Sequence, residues 1–230
     1  MEGRVRGTVL PAYAELHCLT NFSFLRGASH PEELAARAAK LGYCALAVTD
    51  ECSLAGVVRA HVAAKEHGLK LIVGAEFRLA DGGKLVLLAT DREAYGNLSQ
   101  LITTARRRSR KGSYRIGWDD LDSGVPGCLV LLAPDEQPRL EDAQRVARTF
   151  PGRAWIAAEL HCGSDDRARL EALLDLGRAA GLPLAAAGDN FTMTVAAYQW
   201  ASAEDDGTGN PLASADITDN GLPPNFAAST

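Results

Sequence analysis

Short apolar runs that alternate with helical patterns constrain this chain most. Runs of five to ten residues occur at 13–19, 43–49, 70–79, 84–89, 128–133, 154–160 and 183–187. They are nearly continuous in Ala, Val, Leu and Ile, as strands buried on both faces must be. Amphipathic stretches with a 3.6-residue period separate most of them, and three of these stop at a glycine, Gly42, Gly68 or Gly181. Ser29 with Glu32 three residues on predicts a capping box before the first helix, with Pro31 in its first turn. ADGG at 80–83 predicts a hairpin between the third and fourth strands. Repeated β and α units predict a mostly parallel sheet covered by helices, open or closed into a distorted barrel. Functional groups then belong at the carboxyl ends of the strands.

Composition narrows the function classes. A hydrophobic share of 47% in 230 residues supplies a sizeable core, and a net charge of −5 argues against a domain that holds nucleic acid by bulk electrostatics. Cys18, Cys44, Cys52, Cys128 and Cys162 form no CxxC pair, which points away from a zinc ribbon or a disulfide framework and toward reduced thiols in the cytoplasm. No apolar stretch reaches the 18 or so residues of a membrane span, and the N-terminus carries no signal-peptide pattern. From Asn190 to Thr230 there is no Lys, Arg or His, although 24 Lys and Arg precede it. That tail shows no clear period, so we expect it to be weakly structured or foreign to the domain before it, and to be cut first by proteases.

The expected strand ends carry acids and imidazoles: His17, Asp50 and Glu51, Glu76, Glu159 and His161, and Asp189. Such groups converging on one rim are the ingredients of a polynuclear metal site. The same residues also cap helices and bind loop amides. Layout alone leaves both readings open. Neither GxGxxG nor GxxxxGK[ST] is present, so Gly74 is no phosphate-loop glycine, and no GxSxG marks a nucleophile.

LHCLTNFSFLRGAS, AVTDECSLAG, LIVGAEF, KLVLLATDREAYGNLSQLIT and AAAGD, in this order and spacing, resemble the motifs of the polymerase-and-histidinol-phosphatase (PHP) domain. More narrowly, HCLTNFSFLRGASHPEEL, TDECSLAGVVRAH and WIAAELHCG are similar to the error-prone, damage-tolerant branch of bacterial C-family DNA polymerases, related to the DNA polymerase III alpha subunit. The resemblance covers residues 13–189. It leaves 1–12 as an N-terminal extension and 190–230 as an atypical tail, for which a frameshift inside the last motif is one explanation.

The resemblance implies a seven-stranded distorted α/β barrel with up to three metals at the strand ends. Carried over by position, His17, Asp50, Glu76 and Asp189 match metal ligands. Other ligand positions hold Leu19, Glu51, Lys84 and Phe191, and one falls on or near Pro134. His161 aligns with none securely. The implied site is therefore vestigial. At most one divalent ion (Mg, Mn or Zn) is expected, through Asp50, Glu51 and Glu76, and no catalytic residue is assigned. Glu51 and Lys84, each replacing a histidine, are expected to pair across the rim.

The implied function is that of a structural and interaction module of an error-prone polymerase in translesion synthesis. Its partners would be DNA through polymerase domains outside this chain, mutagenesis accessory proteins and a sliding clamp, with no membrane. The alternatives are an active metal-dependent phosphoesterase or 3′-5′ exonuclease, and a free-standing phosphatase. RRRSRKGSYR at 106–115 holds six basic residues, which suits a solvated helix end or a contact with DNA or a neighbouring domain.

Overall fold

In the computed structural model, residues 12–135, 137–160 and 163–188 are described. The expectations about Asp189, His161, Phe191 and the 190–230 tail lie outside them. The elements are β1 (Ala14–Glu15), α1 (Pro31–Lys40), β2 (Ala45–Val48), α2 (Val57–Glu66), β3 (Lys70–Arg78), β4 (Lys84–Ala89), α3 (Arg92–Arg107), β5 (Cys128–Leu132), α4 (Leu140–Thr149), β6 (Ala154–Ala158), α5 (Asp166–Ala180) and β7 (Leu184–Ala186). A 3₁₀ turn at Trp118–Leu121 precedes β5.

The seven strands form one sheet in chain order, β1 through β7. Only the pairings of β4 with β3 and β5 are antiparallel, because the tight hairpin at Gly82 and Gly83 reverses the chain without a crossover helix. The sheet curls into a nearly closed α/β barrel, as the sequence predicts. Its narrow interior takes Ala45, Ala47, Ile72, Val86, Leu88, Leu129, Leu131, Ala157 and Ala185. Gly74 belongs to this packing. A Cβ there would lie 2.6 Å from the Leu87 carbonyl oxygen and 2.7 Å from Leu88 Cδ2, so no side chain fits. The opposite sheet face packs α3, α4 and α5 around Phe77, Leu98, Phe150 and Leu173, while α1 and α2 cover Leu46 and Val48.

Two local expectations shift. The first strand is shorter than 13–19, and the first helix is capped one residue later than Ser29. Pro31 takes the first helical position, which makes His30 the cap, and Glu33 rather than Glu32 accepts the His30 amide at 2.8 Å. Glu32 instead pairs with Arg59 of α2.

Between β7 and β1 no strand pairing is present among the described residues. A carboxylate spans the seam instead. Glu15 Oε1 accepts the amides of His17 at 2.9 Å and Gly188 at 3.0 Å, and Oε2 takes the Tyr13 hydroxyl at 3.1 Å. Glu15 is fully buried, and burial pushes its carboxyl up to about 7 against these donors. Among the described residues no helix is long and apolar enough to cross a membrane.

Candidate functional site

Strand direction places the acidic residues. β2, β3 and β6 run parallel to β1, so Asp50, Glu76 and Glu159 reach the same rim as His17, just past β1. Because β4 runs the opposite way, Lys84 joins that rim from its strand's beginning. His17, Asp50, Glu76 and Glu159 are all buried, at 4% exposure or less. Buried charges must be paired, and the partners are here.

His17 lies between two carboxylates, with Nδ1 2.5 Å from Glu159 Oε1 and Nε2 2.9 Å from Glu76 Oε2. Burial alone would depress the imidazole, but Glu159 and Glu76 outweigh it and lift it to about 9. The two carboxylates favour its charged form, which donates from both nitrogens. On one side Lys84 Nζ lies 3.3 Å from Glu159 Oε2. On the other, Arg26 from the β1–α1 connection donates to both Glu76 oxygens and, at 2.8 Å, to Glu51 Oε2. The result is a chain that alternates in sign: Lys84, Glu159, His17, Glu76, Arg26, Glu51. Burial would raise the Glu76 and Glu159 carboxyls. His17 with Arg26, and His17 with Lys84, instead hold them at about 2. Tyr114 completes Glu51 by donating to Oε1 at 2.8 Å, and Arg78 Nε stands 3.6 Å from Glu76 Oε1.

The expected pair of Glu51 with Lys84 does not form. Lys84 turns to Glu159, and Glu51 is taken by Arg26 and Tyr114. The reason is reach: a guanidinium bridges Glu76 and Glu51 at once, whereas Glu159 needs a second cation besides His17. Asp50 stands apart from this chain. It accepts the Thr20 amide and hydroxyl at 2.8 Å each and the Ser23 hydroxyl at 2.7 Å. It thereby ties the β1–α1 connection to the end of β2.

His17 and Glu76 are brought together as the sequence predicts, but Asp50, Glu51 and Glu76 are not turned on one centre. Among the described residues no group of three or more His, Cys, Asp and Glu is arranged to hold a metal ion. The donors present do not fit one as they stand. Both His17 nitrogens are engaged by carboxylate oxygens, and those carboxylates are occupied in turn by Arg26 and Lys84. Sequence reasoning gave no role to Arg26, Tyr114 or Glu15, and it placed Glu159 at the rim without matching it to a ligand position. Glu159 had a signal, as the only charge in AWIAAEL, and Arg26 had another, as the only charge in TNFSFLRGAS.

The PHP domain family profile matches residues 15–148. The chain is 62% identical over 185 residues to the error-prone DNA polymerase of Dechloromonas aromatica (strain RCB), covering 78% of this chain and 18% of that protein. It is 60% identical over 183 residues to that of Aromatoleum aromaticum, covering 76% and 17%, and 55% identical over 180 residues to that of Pseudomonas aeruginosa, covering 78% and 17%. The chain thus spans under a fifth of the length of these relatives. Among solved structures, a protein assigned as a metal-dependent phosphoesterase from Bifidobacterium adolescentis matches with a TM-score of 0.56 at 18% identity, covering 77% of this chain and 87% of that one. An amidohydrolase from Chromobacterium violaceum with bound sulfate matches with a TM-score of 0.55 at 17% identity, covering 77% and 87%. At these identities the likeness is one of fold.

Proposed function

Because the chain belongs to the PHP-domain family and is homologous over most of its length to error-prone DNA polymerases, we propose that it serves as the PHP module of such a polymerase. The parent protein would act in damage-induced mutagenesis and translesion synthesis in the cytoplasm. In this reading side-chain cations hold the barrel mouth where the resemblance implies metals, and the module works as a scaffold. It would support the polymerase domains and contact accessory proteins and a sliding clamp, while DNA is held mainly by domains outside this chain.

One observation carries the reading. The alternating chain from Lys84 to Glu51 satisfies the buried carboxylates with protein cations alone. Hydrolysis of a phosphodiester by metal catalysis needs a bound water whose pKa an ion lowers to about 7. Here the coordinating lone pairs are used by Arg26, Lys84 and the His17 ring protons. Any vestigial role for Asp50 falls within the same proposal, since Asp50 is taken up by Thr20 and Ser23.

A labelled primer–template incubated with the chain, in magnesium and in manganese, tests this. The primer is expected to stay intact. Shortening that disappears in His17→Ala would overturn the scaffold reading in favour of a nuclease.

A further inference from the structure

The basic run at 106–115, from the end of α3 onward, makes no ion pair in the mouth and touches it through Tyr114, which donates to Glu51, and through Arg106. That residue turns inward, donating to the backbone carbonyls of Glu51 at 3.1 Å and Cys52 at 3.2 Å and covering the Tyr114 ring. The other basic side chains of the run face solvent. Arg108 is neutralised by Asp120. Arg107, Arg110, Lys111 and Arg115 are exposed, and among the described residues they have no ion-pair partner. Four uncompensated positive charges within nine positions are unusual on a chain of net charge −5.

The fold carries this run to the mouth. The Ala80 amide donates to the Ile116 carbonyl at 2.8 Å, and the Arg78 amide to the Tyr114 hydroxyl at 2.9 Å. The segment 114–116 therefore lies along the end of β3, where Arg78 is half exposed. Across Glu51, the carboxylate shared by Tyr114 and Arg26, stands the β1–α1 connection. It presents Phe24 at 84% and Leu25 at 89% exposure, and Leu25 has φ of 61°, a left-handed value that bulky side chains avoid. With Arg26 anchored on Glu76, this kink turns the Phe24 ring outward. Basic side chains on one flank and an exposed aromatic ring on the other make a charged track with a stacking platform.

We propose that this surface binds a single-stranded nucleic acid, with Arg107, Arg110, Lys111 and Arg115 on its phosphates and Phe24 stacked on a base. Contacts to phosphates and to the face of one base predict no sequence preference and little distinction between DNA and RNA. The phosphate contacts do not draw on the ion-paired mouth, and only the placement of Phe24 draws on Arg26, so the salt slope here and the primer assay above fail separately.

Fluorescence anisotropy of the 230-residue chain with labelled dT20 and rU20 tests it. Four phosphate contacts give a slope of log K against log salt of about −2.8, so raising salt from 50 to 200 mM weakens binding about 50-fold. The triple variant Arg107→Gln, Arg110→Gln, Lys111→Gln should reduce that loss to about 3-fold. Phe24→Ala should weaken binding about 5-fold or more without changing the slope. Arg167→Gln on α5 should change neither. No saturable binding at 50 mM salt, an unchanged slope in the triple variant, or tighter binding of a 20-base-pair duplex than of dT20 would each overturn the proposal.

Discussion

Removing Arg26 should destabilise the domain in a way that depends on pH. Its guanidinium donates to both oxygens of Glu76, which is fully buried, and to Glu51. Arg26→Met keeps the aliphatic stem and deletes the charge. The Glu76 carboxyl is held at about 2 instead of the ordinary 4.5, which corresponds to about 3 kcal/mol at 1.36 kcal/mol for each pH unit. His17 and Arg26 share that effect against the opposing burial, and Arg26 is about a quarter exposed, so its part is about 1–2 kcal/mol. A domain of this size should lose about 2–8 °C in Tm. The sign follows from a depressed carboxyl: the stabilisation is complete above pH 4.5 and is lost as pH falls toward 2. Urea unfolding followed by tryptophan fluorescence at pH 7 and pH 3 should show a penalty that shrinks in acid. In a double-mutant cycle with Glu76→Gln the two losses should fall short of additive by about 1 kcal/mol. An additive cycle with a penalty equal at both pH values would show that Arg26 acts by packing alone and refute the charge-chain argument.

Other outcomes follow from neighbouring contacts. Glu15→Gln keeps both amide bonds on Oε1 and can donate to Tyr13, so it should stabilise the domain by about 1–3 kcal/mol above pH 7. A raised carboxyl contributes stability that is fully present below pH 4.5 and lost as pH rises through about 7, so the gain should vanish near pH 4 in the same urea assay. Lys84→Met should couple to Glu159→Gln by about 1 kcal/mol in a double-mutant cycle and not to Glu51→Gln; the reverse pattern would restore the pairing expected from sequence. Gly74→Ala should cost about 1–3 kcal/mol in thermal unfolding, because its methyl would meet the Leu87 carbonyl.

The barrel was readable because its strands are buried on both faces and its helices stop at glycines whose φ is positive, Gly42, Gly68 and Gly181. The reversal of β4 against β3 followed from the ADGG hairpin. The site was legible only in part. Position along the chain brought His17 and Glu76 to one rim, but pairing there depends on which cation reaches which acid. Arg26 sits in an irregular connection with no period to place it, and Lys84 had two acids to choose from. Glu15 was hidden for a different reason. A glutamate in an apolar strand reads as facing solvent, and only closure of the barrel shows that it spans the seam to Gly188.

The claim that internal cations occupy the barrel mouth is tested most directly by the metal content of the purified chain. Elemental analysis after expression in metal-supplemented medium, with and without chelator, should find less than one tightly held zinc, manganese or iron ion per chain, and Tm should not change on chelation. Two or more ions per chain, removed only together with a fall in Tm, would contradict it: Arg26 and Lys84 would then have to leave Glu76 and Glu159 to make room.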